Sequence, residues 1–448
     1  MTILKFRLVR NLSWMTLEHG FRMTVGVLVG AIVARYLGPA AYGTLNYASA
    51  LVAICATLHA IVPEPLIIRE IVADRRNTSD ILGAAVAVRT VFALFAYVLL
   101  FAFPLLLPST PEPYAIASYI IGVILFFQTT DVLASWFQAQ QHSQPVVLSR
   151  LGGFFLSSIL RLLLVWSGAS MFSFAAAIAI ESAITTLFIL ISVRLAKERP
   201  LICWPPAVAH VKTLLLNGWP LFLAAISATL YLRLDLVMIG IMKSDHETGL
   251  YSAATRISEI WYFIPMSLAV VVQPVLLGKR RLGGGDYARH LRALYGASAW
   301  VAALFALTTA LLAEKIILLL FGKDFINAVP ILQIHAWSAI PVFLGVASSQ
   351  YLVSENLVKL SWYRTTIGLF VNVVLNLIWI PRYGGVGAAW ATLISYFVAT
   401  FSLCFFPSSR AQAAEMLFAM TPRGLLQSWL LFKEYQSKAN PMDRSSRN

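Results

Sequence analysis

The sequence predicts an all-α polytopic membrane protein, with about twelve transmembrane helices in two six-helix lobes related by a pseudo-twofold axis along the membrane normal. Three observations carry that expectation: apolar stretches of spanning length throughout the 448 residues, basic residues gathered in alternate connections, and a faint internal duplication. Hydrophobic residues make up 59% of the chain and charged residues 12%, with a mean hydropathy of +0.76. A soluble fold of this size has no interior able to absorb that much apolar surface.

The apolar stretches run over 12–34, 45–69, 81–107, 114–134, 146–167, 172–193, 213–242, 250–277, 292–313, 328–353, 360–380 and 384–406. Each approaches or exceeds the roughly 20 residues that a helix needs to cross hydrocarbon. The first follows Lys5, Arg7 and Arg10, is too long for a signal core and lacks a small-residue cleavage site, so it is expected to remain as the first span.

Of the 34 Lys and Arg residues, 24 fall in the N-terminus, every second connection and the tail, including Arg69, Arg75, Arg76, Arg150, Lys279, Lys359 and Arg364. Only Arg35, Lys243, Lys315, Lys323 and Arg382 fall in the other set. The positive-inside rule therefore places both termini in the cytoplasm. The net charge of +14 reports attraction to an anionic leaflet, not nucleic-acid binding.

The duplication has an offset of a little over two hundred residues. Gly43-Thr44-Leu45-Asn46-Tyr47-Ala48 after the first span is echoed by Gly249-Leu250-Tyr251-Ser252-Ala253-Ala254 after the seventh. Trp136-Phe137-Gln138 at the end of the fourth span is echoed by Ser349-Gln350-Tyr351 at the end of the tenth, and Phe174-Ala175-Ala176-Ala177 by Gly387-Ala388-Ala389-Trp390. Six spans per half is an even number, so both halves cross in the same sense, as in transporters that rock two lobes about a central site. The organisation expected is a lobe over 1–196, a cytoplasmic linker over 197–212 with Pro200, Pro205 and Pro206, a second lobe over 213–406, and a cytoplasmic tail over 407–448. The tail carries a short amphipathic stretch, Ala414 to Tyr435, suited to lie on the leaflet.

Eleven ionisable residues interrupt the spans: Glu18, Arg22, Glu64, Arg89, Asp131, Arg161, Glu181, Arg233, Asp235, Arg256 and Glu259. A charge at the centre of a spanning helix costs about 2.5–3.5 kcal/mol on insertion scales, so such residues face partners or an aqueous cavity. Glu18 and Arg22, and Arg256 and Glu259, share helix faces by their spacing, whereas Arg233 and Asp235 point apart. Two readings stand for the arginines. They bind an anionic substrate group, to which a guanidinium offers a planar fork, or they neutralise nearby acids and hold helices together. Arg22 and Arg256 are the first candidates for substrate binding, followed by Arg89, Arg161 and Arg233. Glu18, Glu64, Asp131, Glu181, Asp235 and Glu259 are candidates for cavity pairing or for carrying a coupling H+ or Na+; Asp131 and Glu181 have no basic residue within a turn of their own span. Prolines such as Pro63, Pro65, Pro220 and Pro341 allow bends.

No enzyme motif, metal-ligand spacing or nucleotide loop is present, and Cys55, Cys203 and Cys404 have no redox or metal spacing. Neither a catalytic activity nor a tightly bound cofactor is expected.

The segment Arg35-Tyr36-Leu37-Gly38-Pro39-Ala40-Ala41-Tyr42-Gly43-Thr44 resembles the first external loop of bacterial polysaccharide-transporter flippases. Arg233-Leu234-Asp235-Leu236-Val237-Met238-Ile239-Gly240 and Gly249 through Pro265 are also similar to these O-antigen and capsule repeat-unit flippases of the multidrug/oligosaccharidyl-lipid/polysaccharide exporter superfamily. The resemblance covers all twelve spans. It implies movement of an undecaprenyl-diphosphate-linked oligosaccharide from the cytoplasmic to the periplasmic leaflet of the bacterial inner membrane, by alternating access around a basic cavity. Membrane lipids and other polysaccharide-assembly membrane proteins are the further partners it implies. Val62-Pro63-Glu64-Pro65 departs from the family's usual Gly-Leu-Asp-like stretch. The alternative reading is a cation-coupled multidrug or metabolite exporter of the same superfamily.

Overall fold

The computed structural model describes residues 2–106, 111–196, 203–282, 285–426 and 430, and the described residues are helical without strands. The helices are α1 (Thr2–Ala56), α2 (Glu64–Ala73), α3 (Thr78–Leu106), α4 (Glu112–Gly122), α5 (Ile124–Phe127), α6 (Asp131–Ala139), α7 (Gln144–Trp166) and α8 (Met171–Leu195). They continue as α9 (Val208–Met242), α10 (Asp245–Ser258), α11 (Phe263–Leu282), α12 (Gly285–Leu320), α13 (Val329–His335), α14 (Ala339–Ser354), α15 (Val358–Phe401) and α16 (Arg410–Ala419). Among the described residues, nine stretches are long and apolar enough to cross a membrane.

The smaller number reflects how the spans are joined. Gly20–Ala73 and Val358–Phe405 each contain two of the predicted spans. In α1 the expected first external loop is reduced to a break at Gly38, whose φ of 72° belongs to the left-handed region. Gly384, with φ of 57°, does the same in α15. Only glycine adopts that conformation at little cost, so each glycine turns the chain without a loop. The predicted span 250–277 is divided among α10, a 3-10 turn at Glu259–Tyr262 and α11.

The chain separates into two compact units, Met1–Ala253 with Ile317–Ile326, and Ala254–Ile316 with Asn327–Asn448. Residues 203–212 of the expected linker fall within unit 1 together with α9; residues 197–202 lie outside the described residues.

Unit 1 is apolar towards its surroundings and filled with small residues inside. On α3, Ala84, Ala85, Ala93 and Ala96 are buried, while Val91, Leu94, Phe95, Val98 and Phe101 are exposed. This pattern suits helices that meet lipid on one face and pack closely on the other. A core of Val62, Leu66, Ile67, Leu82, Val132, Phe137 and Leu214 joins α2, α3, α6 and α9. The duplicated motifs meet directly. A Cβ on Gly43 would stand 1.9 Å from the Asp245 carbonyl oxygen, and one on Gly249 1.9 Å from that of Pro39. Asp245 fastens this crossing, its carboxylate accepting from Tyr114 at 3.0 Å and from Thr44 at 3.3 Å.

In unit 2, two 3-10 turns, Glu259–Tyr262 and Ala336–Ser338, are tied by side chains: Ser258 Oγ lies 2.7 Å from His335 Nδ1, and Tyr262 Oη 2.6 Å from Ser338 Oγ. Helix α16 is docked against α12, with Arg292 forming two bonds of 2.7 and 2.6 Å to Glu415, and Trp300 donating to Ala419 O at 3.1 Å. It buries Gln412, Ala413, Met416 and Ala419 and exposes Leu417 and Phe418. The rest of the amphipathic stretch, at 427–429 and 431–435, lies outside the described residues.

Candidate functional site

Unit 1 gathers the predicted charges into two clusters. The first joins α1, α7 and α8. Glu181 of α8 accepts from Arg161 Nη2 at 2.7 Å on one carboxylate oxygen and from Arg22 Nη2 at 3.4 Å on the other. Arg161 and Glu181 each keep 17% of their side-chain surface exposed, and Arg22 keeps 37%. Arg22 also lies over the Phe154 ring, 5.3 Å from its centroid. The close approach of α7 and α8 depends on glycine: a Cβ on Gly153 would lie 2.1 Å from Thr185 Oγ1. By sequence Glu181 is solitary, yet folding supplies it with two guanidinium partners from distant helices. Glu18 lies on α1 with its side chain outside the described residues.

The second cluster joins α2, α3, α6 and α7. Glu64 sits at the start of α2, next to the break at Val62–Pro63, and accepts a hydrogen bond from Gln138 of α6. Arg150 Nη2 stands 4.0 Å from Glu64 Oε1. Asp131 at the start of α6 interacts electrostatically with Arg150 and Arg89. Buried Arg89 donates to the Val62 carbonyl oxygen through Nε at 3.1 Å and Nη2 at 2.9 Å. That carbonyl lies at a helix break, so Arg89 satisfies backbone at the bend and is committed to structure. His59, on the 3-10 turn between α1 and α2, is buried beside Gln128 and Arg89.

The other predicted residues do not join these clusters. Asp235 is buried on α9 and accepts from Tyr251 at 2.8 Å, while Arg233 two residues earlier is exposed, in keeping with their opposite directions. Arg256 and Glu259 belong to unit 2, both half-buried and both engaged in interactions.

Four residues were not singled out as site residues by sequence reasoning. Arg150 and Arg364 were counted with the cytoplasmic connections, but each is the seventh residue of a long helix, α7 and α15 respectively. Arg364 is buried and donates to Ser348 at 2.5 Å, Ser349 at 2.7 Å and Gly345 O at 3.0 Å. His59 carries no signal beyond its polarity, and Gln138 only its place in the duplicated motif. The spacing of Arg150 and Arg161, eleven residues and three helical turns on one face, was the readable signal.

The polysaccharide biosynthesis protein family profile matches residues 8–277, and the MatE family profile matches residues 220–378. The chain is 24% identical over 392 residues to the probable flippase AglR of Haloferax volcanii, covering 85% of this chain and 79% of that one. Among solved structures it resembles the lipid II flippase MurJ in an inward closed conformation, with a TM-score of 0.73, 17% identity and coverage of 94% of this chain and 92% of that one. It also resembles an inward-facing multidrug resistance MATE transporter of the MOP superfamily, with a TM-score of 0.70, 15% identity and coverage of 91% and 99%. The fold is shared with these multi-pass membrane proteins. With more than half of its length matched by the first profile, the chain belongs to the polysaccharide biosynthesis protein family.

Proposed function

We propose that the chain is a flippase for a lipid-linked oligosaccharide, carried on a polyprenyl diphosphate. The observation that carries this reading is the Arg22–Glu181–Arg161 cluster inside a membrane-spanning unit. Guanidinium groups at that depth offer fork geometry and permanent charge to a diphosphate, while a sugar chain needs a wet interior and the polyprenyl tail stays in lipid. Undecaprenyl diphosphate bearing an O-antigen, capsule or exopolysaccharide repeat unit is the substrate we favour. In this reading the substrate moves from the cytoplasmic to the periplasmic leaflet of a bacterial inner membrane, as lobes 1–196 and 213–406 alternate in access. The acids Glu64, Asp131 and Glu181 are the candidates for proton or sodium coupling.

The match of residues 220–378 to MatE favours a second reading, a cation-coupled exporter. Proteoliposomes separate the two. Translocation of a fluorescent polyprenyl-diphosphate oligosaccharide supports the flippase; translocation of a cationic dye without any of the lipid-linked glycan supports the exporter.

Sidedness is testable through Cys203, which is exposed in the connection before α9, whereas Cys55 is buried. The neighbouring Asp80 carboxylate accepts from the Cys203 thiol and pushes its pKa up from the ordinary value. A raised pKa leaves less thiolate at neutral pH and slows alkylation. With both termini cytoplasmic, a membrane-impermeant maleimide labels Cys203 only after the membrane is permeabilised, and Asp80→Asn speeds that labelling. Labelling of intact cells would reverse the orientation.

A further inference from the structure

Arg150 differs from its neighbours in what it does with its guanidinium. Arg89 is held by the Val62 carbonyl and Arg161 by Glu181. Arg150 keeps only 26% of its side-chain surface exposed, and its ionic partner is Glu64 at 4.0 Å, beyond hydrogen-bond length. None of its N–H groups donates to a described residue. A guanidinium carries five donors in a fixed fork, so this one retains its full capacity for an incoming oxyanion. Glu64 meanwhile is held by Gln138. An anion can therefore separate Arg150 from Glu64 without breaking a hydrogen bond of Arg150 and without leaving Glu64 unpartnered.

Position supplies the second observation. Arg150, Phe154, Ser157 and Arg161 recur at i, i+4, i+7 and i+11 along α7, which places them on one face. The two arginines are about 16 Å apart along the axis at 1.5 Å per residue. Between them stands Phe154, which carries the Arg22 guanidinium over its ring. One face of α7 thus presents Arg150 near its start, beside Glu64 and Asp131, and the Arg22–Arg161 pair deeper, beside Glu181. The seventh residue of α15, Arg364, is instead bonded to Ser348, Ser349 and Gly345 O, which makes this feature a property of unit 1.

We propose that Arg150 is a separate receiving site for the diphosphate of a lipid-linked substrate, which passes along the same face of α7 from Arg150 to Arg22 and Arg161. This rests on the flippase reading for its substrate. Glu64 acts as the competing carboxylate that the diphosphate displaces.

The test measures binding of farnesyl diphosphate, with inorganic pyrophosphate as a parallel probe, to the full chain in neutral phosphatidylcholine nanodiscs. Arg150→Gln is expected to weaken farnesyl diphosphate binding at least tenfold. Arg150→Lys should fall in between, because it keeps the charge and loses the fork. Glu64→Gln should tighten binding several-fold by removing the competitor. If Arg150 only pairs with Glu64, Glu64→Gln leaves the affinity unchanged, and that result overturns the proposal even if Arg150→Gln fails to fold. Loss of pyrophosphate binding alone, with farnesyl diphosphate unaffected, would assign the site to free phosphate and also overturn it. Proteoliposome flipping separates this proposal from the reading it rests on. Arg150-dependent binding in a wild type that flips no glycan removes the flippase reading and keeps the anion site, whereas unchanged flipping rate and half-saturation in Arg150→Gln removes the site and keeps the flippase.

Discussion

Arg161→Ala is expected to reduce translocation of a polyprenyl-diphosphate oligosaccharide at least tenfold and to destabilise unit 1. Arg161 makes the shorter of the two bonds to Glu181, at 2.7 Å against 3.4 Å for Arg22. Removing one partner of a buried pair costs about 3–5 kcal/mol, because the other charge is left behind. With 17% of each side chain exposed and Arg22 still on the second oxygen, about 2 kcal/mol is the expected loss here. Arg161→Lys keeps the charge and should recover most of the stability. It should recover less of the transport, since an ammonium cannot present two parallel donors to a diphosphate. A transport defect that exceeds the stability defect in the Lys variant marks Arg161 as a substrate contact. Parallel recovery of both would leave it a helix-pairing residue.

Gly249→Ala is expected to be among the most damaging small substitutions in the described residues. Its Cβ would be placed 1.9 Å from the Pro39 carbonyl oxygen, a backbone atom that cannot turn away. Overpacking costs about 1–3 kcal/mol in ordinary cores, and a backbone collision belongs at the upper end. A fall of about 5–10 °C in apparent Tm follows for a unit of this size. Gly43→Ala meets the Asp245 carbonyl oxygen at the same distance and should behave alike. Gly20→Ala on α1 meets no described residue within 4 Å and provides the control. It should be neutral or raise stability by about 0.5–1 kcal/mol, through the helical preference of alanine. Fluorescence-detected size exclusion after graded heating measures all three.

The fold was legible because the bilayer imposes it. Spanning length and the placement of Lys and Arg follow from the cost of apolar surface in water and charge in lipid, and both are local properties of the chain. The joins were less legible. Arg35 through Thr44 reads as a loop, but Gly38 turns α1 within a single residue, and a short positive-φ break leaves little trace in hydropathy. The site was half legible. The charges themselves stood out, but their partners lie on other helices: Glu181 meets Arg22 and Arg161 only after α1, α7 and α8 pack. Arg150 was hidden for the opposite reason. It lies near a span end where positive residues are expected, so counting it towards orientation concealed that it faces Glu64. The pairing of Gly43 with Gly249 was foreshadowed by the duplicated motifs, though nothing in their spacing says that the two copies touch.

The most direct test of the central claim compares, in proteoliposomes, translocation of a labelled polyprenyl-diphosphate oligosaccharide with that of the same glycan on an uncharged polyprenyl ether. Recognition of the diphosphate by Arg22 and Arg161 predicts that wild type moves the charged lipid and leaves the uncharged one, and that folded Arg161→Ala moves neither. Equal movement of both lipids, or full transport of the charged lipid by folded Arg161→Ala, would contradict it.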